Sequence, residues 1–162
     1  MTEAIQIRMG GYGPPSTTCS RGLRIMGERL ERDFGAAVDV KYIWNVMDLG
    51  YKGGDLLWMA EHGILTLSYQ STSYLADRVP ELDLADLPYL FEGLEDARAA
   101  MDGKLGAWMS RKIEERIPGY KVLGYFDPPP KGGGRPSKVG DFPCAVFGTI
   151  DIIRDIVDSG QS

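Results

Sequence analysis

Apolar residues recur along this chain at two spacings, every second position and every third or fourth, and the alternation between them predicts its elements. Ile5 and Ile7 alternate with polar neighbours over residues 4–9, as in a strand. Leu23, Met26, Leu30 and Phe34 then mark one stripe of a helix that Gly35 ends. Residues 38–44 read as a second strand, 55–61 as a short helix closed by His62 and Gly63, and 64–68 as a third strand followed by a polar turn over 69–73. Strand, helix and strand joined by short loops imply parallel pairing through a right-handed crossover.

The segment from Leu84 to Gly106 carries the strongest local constraint. Pro88 disfavours helical geometry at Leu87, so the apolar run over residues 86–91 must cross extended, as a buried segment. From Leu94 the positions Leu94, Ala97, Met101, Leu105, Trp108 or Met109, and Ile113 recur at threes and fours, predicting one long amphipathic helix stopped by Pro118 and Gly119. Residues 120–125 read as a fourth strand. From Asp127 to Pro143, nine of 17 residues are Pro or Gly, a linker-like or disordered composition. A short terminal helix is expected over 150–157, with Ile152, Ile153 and Ile156 on one face.

With 162 residues, 43% of them hydrophobic, the chain can bury one core. A net charge of −5 and a pI near 4.9 argue against unspecific binding to nucleic acid or anionic membrane, which needs clustered Lys and Arg. No window approaches the ~18 apolar residues of a membrane span, and the residues from Met1 to Gly11 lack an export-signal pattern. Cys19 and Cys144 lie far apart in sequence; for Cys19 a free buried thiol is the expectation.

The glycine loop Gly10–Gly13 after the first strand invites a phosphate-binding reading, with backbone N–H groups and a helix N-terminus at hand. It matches neither G-x-G-x-x-G nor G-x-x-x-x-G-K-[ST], and Pro14 and Pro15 lack N–H groups. His62 is the only histidine, which excludes schemes needing two; at a helix end it is expected to contact the last carbonyls. Carboxylate pairs such as Asp83/Asp86 and Glu114/Glu115 read as solvated charge. What remains are polar and aromatic residues at strand ends: Tyr12, Ser16 and Thr17; Trp44 and Asn45; Gln70, Ser71 and Thr72; and Phe126 with Asp127. Singly, each is equally well explained as turn chemistry, with Ser16 or Thr17 as the helix cap. Together they suit a small-molecule cleft at the carboxyl ends of the strands in an open α/β sheet.

The stretches IRMGGYGPPST, VDVKYIWN, DLLWMAEHGILTLS, VPELDLADLPYLFEGLEDARAAMDGKLG and YKVLGYFD together resemble the first lobe of the solute-binding proteins of TRAP transporters, the DctP family. The segment around Leu87–Phe91, with Ala97 and Gly106 behind it, is the most specific. The resemblance implies an α/β fold, a type II periplasmic-binding-protein lobe with a mostly parallel sheet and helices on both faces. It places that lobe at residues 1–126 and leaves 127–162 as a divergent tail. It implies a periplasmic receptor that closes over an organic acid of dicarboxylate or keto acid type and delivers it to membrane permease subunits. Neither chemistry on the ligand, nor a cofactor, nor nucleic acid, nor membrane insertion is implied. By position Tyr12, Ser16 and Thr17 match the family's first binding loop, Trp44 and Asn45 its second strand end, and Gln70, Ser71 and Thr72 its third. Arg135 lies beyond the resemblance and takes no role from it. The expectation is therefore a truncated copy, and without an export signal a cytoplasmic remnant is the competing localisation. The rival functional reading is a small cytosolic α/β nucleotide-binding module or enzyme using the Gly10–Gly13 loop.

Overall fold

The computed structural model describes residues 4–87, 90–126 and 144–149. Its centre is a five-stranded sheet in the order β2-β1-β3-β5-β4. The strands are β1 (Ile5–Gly10), β2 (Val38–Ile43), β3 (Leu67–Ser71), β4 (Tyr120–Phe126) and β5 (Cys144–Thr149). β1 pairs parallel with β2 and with β3, whereas β5 runs antiparallel between β3 and β4. Four strands therefore share one direction, and the last in sequence lies inside the sheet against it. The expected mostly parallel α/β sheet is present; β5 is a strand that the sequence pattern did not pick out.

Helix α1 (Thr18–Phe34) covers one face. It begins where the Thr17 side chain accepts from the Ser20 N–H and ends at Gly35, whose φ of 55° favours glycine. Ile7, Met9, Cys19, Leu23, Val38, Val40, Leu67 and Tyr69 form the core beneath it, with the Cys19 side chain buried there. Ile7, Met9 and Leu23 are fully buried, each worth about 1.5–3 kcal/mol in removed apolar surface.

The opposite face is larger. α2 (Leu56–Glu61), α3 (Leu94–Asp102), α4 (Lys104–Arg116) and the 3₁₀ segments between Val46 and Asp86 pack there over Val46, Leu56, Leu65, Leu75, Leu82, Met109 and Ile113. Two ion pairs tie the region between α2 and α3 to the flanking helices, Arg78 in a turn to Glu61 and Glu81 in a 3₁₀ segment to Arg116, at 2.5 Å each, both partly exposed and of modest worth.

The structure corrects three expectations. β3 starts at Leu67 rather than at 64, and Tyr69, Gln70 and Ser71 belong to the strand instead of a turn, because β5 supplies their ladder partners on one side, while β1 pairs only with Leu67 and Ser68. The helix expected from Leu94 to Pro118 breaks at Gly103, where φ −106° and ψ −140° leave the helical region, so it becomes α3 and α4. The apolar periodicity runs through the break and hides it. The run around Pro88 is not buried as expected: Leu87 is extended (φ −66°, ψ 128°), as a residue before proline should be, but Leu87 and Leu90 are 51% and 38% exposed. Pro88, Tyr89, the expected linker 127–143 and the expected terminal helix 150–157 lie outside the described residues.

Candidate functional site

Parallel β1, β2 and β3 end at one edge of the sheet, and the start of antiparallel β5 and the end of β4 reach it too, since Ser71 and Phe126 both pair with Cys144. Topology therefore gathers the strand ends selected from the sequence along a single edge. How their side chains are used differs from residue to residue.

The first loop is welded to the second strand end. Gly11 N–H donates to the Ile43 carbonyl at 3.1 Å, Gly13 N–H to that of Trp44 at 3.3 Å, and Val46 N–H to that of Gly11 at 2.9 Å. Tyr12 and Asn45 form an isolated bridge. The N–H groups a phosphate would need at Gly11 and Gly13 are thus spent on β2, and Pro14 and Pro15 offer none. Thr17 Oγ1 donates to the Pro14 carbonyl at 3.0 Å besides capping α1, while Ser16 is exposed on the turn.

Asn45 accepts from Met47 N–H and donates to Asp48 Oδ1 at 2.8 Å, which organises the 3₁₀ turn over Val46–Leu49. Trp44 stacks flat on Tyr42, with centroids 4.3 Å apart and planes 5° apart, and the Arg24 guanidinium lies 5.3 Å from its ring centroid. Gly27 of α1 makes room for this pair: a Cβ there would stand 1.9 Å from the Tyr42 hydroxyl. Burial, with Glu31 and Glu28 nearby, pushes the Tyr42 phenol up.

The third strand end is buried and polar. Ser68, Gln70 and Thr72 alternate with Leu67, Tyr69 and Ser71, so they face the α2 and α4 side. Gln70 donates to the Gly53 carbonyl at 3.0 Å, yet its Oε1, Ser68 Oγ and Thr72 Oγ1 have no hydrogen-bond partner among the described residues. All three residues are fully buried, and an orphaned polar group there costs about 1–3 kcal/mol. Ser71 Oγ lies 2.8 Å from Ser73 Oγ.

Two residues at this edge escaped the sequence reading. The Tyr74 ring meets that of Tyr12 edge-on at 5.6 Å, is 48% exposed, and lies against Gly53, where an added Cβ would come within 3.2 Å of it. The Tyr69 ring sits 5.3 Å from that of Tyr12 on the other side. Tyr69 belonged to an expected turn and Tyr74 followed it. Only the extra length of β3 brings both to the edge.

A separate open cleft of about 290 Å³ lies between α4 and β4, with Gly103, Gly106, Ser110, Gly124 and Tyr125 among its walls. Ser110 Oγ is 3.0 Å from the Tyr125 hydroxyl there, and none of the strand-end residues lines it. His62 closes α2, its Nδ1 2.8 Å from the Trp58 carbonyl, as expected of a helix-end residue. Among the described residues no cluster of three His, Cys, Asp or Glu could hold a metal, and no helix is long and apolar enough to cross a membrane.

The fold has close counterparts among solved structures. A TRAP periplasmic solute-binding protein from Sulfurospirillum deleyianum, with bound succinate, superimposes with a TM-score of 0.79 at 15% identity, covering 99% of this chain and 77% of that one. One from Pseudomonas putida with bound D-glucuronate gives 0.78 at 12% identity, over 96% of this chain and 76% of the other. A third, from Xanthobacter autotrophicus with bound β-D-galacturonate, gives 0.66 at 20% identity over 75% of this chain and 40% of that chain. No family model matches the sequence, and no curated protein matches it either. At these identities the likeness establishes the fold, that of a type II periplasmic-binding-protein lobe.

Proposed function

We propose that this chain belongs to the TRAP-transporter solute-binding proteins and serves as a non-enzymatic, extracytoplasmic receptor for a small organic acid, which it passes to membrane permease subunits. The observation that carries the proposal is the convergence at one sheet edge of an aromatic corner, Tyr12 and Tyr74, with the buried polar atoms Gln70 Oε1 and Thr72 Oγ1, which no group among the described residues pairs. Hydroxyl and amide groups on an aromatic wall are suited to hold and orient a polar acid without reacting with it. The organic acids bound by the structural neighbours support the same ligand class. The engaged N–H groups of Gly11 and Gly13 weigh against the nucleotide reading.

The described edge forms one wall. A ligand held on one wall keeps much of its hydration, so binding to it is weaker than micromolar. Titrating the labelled protein with succinate and D-glucuronate by NMR tests the proposal. Saturable amide shifts confined to residues 12–16 and 71–74 are expected. Shifts centred on the α4–β4 cleft, stronger shifts with ATP, or no shifts at millimolar acid would overturn it.

A further inference from the structure

The loop that carries Tyr12 owes its shape to groups on two other elements. Ser20, in the first turn of α1, is fully buried and donates from Oγ to the Gly13 carbonyl at 2.9 Å. Its Oγ also lies 3.0 Å from the hydroxyl of Tyr69 on β3, which is 2% exposed. Because the single Ser20 proton goes to Gly13, the Tyr69 hydroxyl is the donor in the second bond. The bonds form a directed chain from Tyr69 through Ser20 to the Gly13 backbone.

Tyr69 also shapes the loop sterically. A Cβ at Gly11 would lie 2.1 Å from Tyr69 Cε1, and one at Gly13 would lie 3.1 Å from its hydroxyl oxygen, so the ring fills the hollow over which the loop passes. The same ring packs against Tyr12 at 5.3 Å. One side chain of β3 thereby touches Gly11, Tyr12 and Gly13 in turn, while β2 holds the loop backbone from the opposite side through Ile43 and Trp44.

We propose that Tyr69 and Ser20 are positioning residues for the binding edge: they hold the Gly11–Gly13 backbone, and with it the Tyr12 ring, in the ligand-receiving arrangement before any ligand arrives. The functional consequence rests on the receptor reading above; the positioning itself does not. Preorganisation of this kind spares a ligand the cost of ordering the loop.

Amide hydrogen exchange on Tyr69→Phe, Ser20→Ala and the double variant tests it, since exchange reports local opening without any ligand. Each single change is expected to speed exchange at Tyr12 and Gly13 by about tenfold while exchange across the β1–β2 ladder at Ile7 and Val40 stays as in the parent. The double variant is expected to add little to either single change, because the two hydroxyls act in series. Unchanged exchange in the loop would overturn the proposal, and so would a uniform acceleration over the whole sheet, which marks a purely structural pair. If Tyr69→Phe fails to fold, Ser20→Ala alone carries the same comparison. Succinate titration of the parent reports separately on the receptor reading, so failure of that reading is distinguishable from failure of this one.

Discussion

Gly106 rests on the carbonyl oxygen of Met101: a Cβ at residue 106 would stand 1.8 Å from that oxygen. The contact exists because the chain breaks at Gly103 and restarts as α4, folding the end of α3 over the first turn of α4. A backbone oxygen cannot rotate away as a side-chain tip can. Gly106→Ala should therefore cost about 2 kcal/mol or more in urea unfolding. Gly54→Ala, where a Cβ meets nothing within 4 Å, should stay within about 0.5 kcal/mol of the parent. Equal effects of the two substitutions would contradict this account of the break.

Thr17→Ala should lower stability by about 1 kcal/mol, because it removes the N-cap of α1, and Thr17→Ser should restore most of it. Thr17 was also selected as a ligand contact. Its Oγ1 already receives the Ser20 N–H and donates to Pro14, so Thr17→Ser is expected to leave succinate-induced shifts at Tyr12 unaltered. Loss of those shifts in the serine variant, with stability intact, would return Thr17 to the ligand.

Alkaline stability should depend on buried phenols. Burial pushes Tyr120 and Tyr125 up, and Tyr120 donates its hydroxyl to the Leu57 carbonyl. The folded chain holds these protons more tightly than the unfolded one. Their contribution is complete below about pH 10, the unperturbed tyrosine value, and is lost as pH rises beyond it and the unfolded chain ionises first. Urea midpoints measured from pH 8 to 11 should fall in the upper part of that range. Tyr120→Phe should cost about 1 kcal/mol at pH 8 and make the alkaline decline shallower. An equally steep decline in Tyr120→Phe would assign the loss to other groups.

Tyr74→Ala should abolish acid-induced shifts at Tyr12 while changing stability little, since Tyr74 is half exposed and its contacts are with Tyr12 and Gly53. Lys52 precedes Gly53, whose carbonyl receives Gln70, and it makes no ion pair among the described residues, so its charge is available to a carboxylate. Lys52→Gln should weaken succinate binding more than it weakens binding of a neutral analogue, read from the same NMR titrations. Equal weakening of both would remove charge from the account.

These outcomes show how unevenly the chain was legible. Ile5 and Ile7 announce β1 because alternation there coincides with one covered face, and Thr17 and Gly35 bracket α1 because caps are local chemistry. β3 was misplaced because Gln70 and Thr72 look like turn residues, and it is the ladder with β5, distant in sequence, that carries the strand on to Ser71. β5 was invisible for a related reason: its partners Leu67–Ser71 and Tyr120–Phe126 lie far away in sequence, and its alternation follows a Pro/Gly-rich stretch. At the binding edge, the sequence located the strand ends but not the use of each side chain. Asn45 serves a turn and Trp44 a stack, while Tyr69, Tyr74 and Ser20 acquire their places only from the register of β3.

Because β5 lies between β3 and β4, those two strands share no ladder of their own, and what joins them is made late. During synthesis β1, β2 and β3 can pair as soon as residue 71 has left the ribosome, whereas β4 must wait, with neither side of its backbone matched, until Cys144–Thr149 has emerged. The sheet thus closes from its interior in the last step, and a nascent chain stalled before that point presents the open edge of β3 and an unpaired β4 to its surroundings.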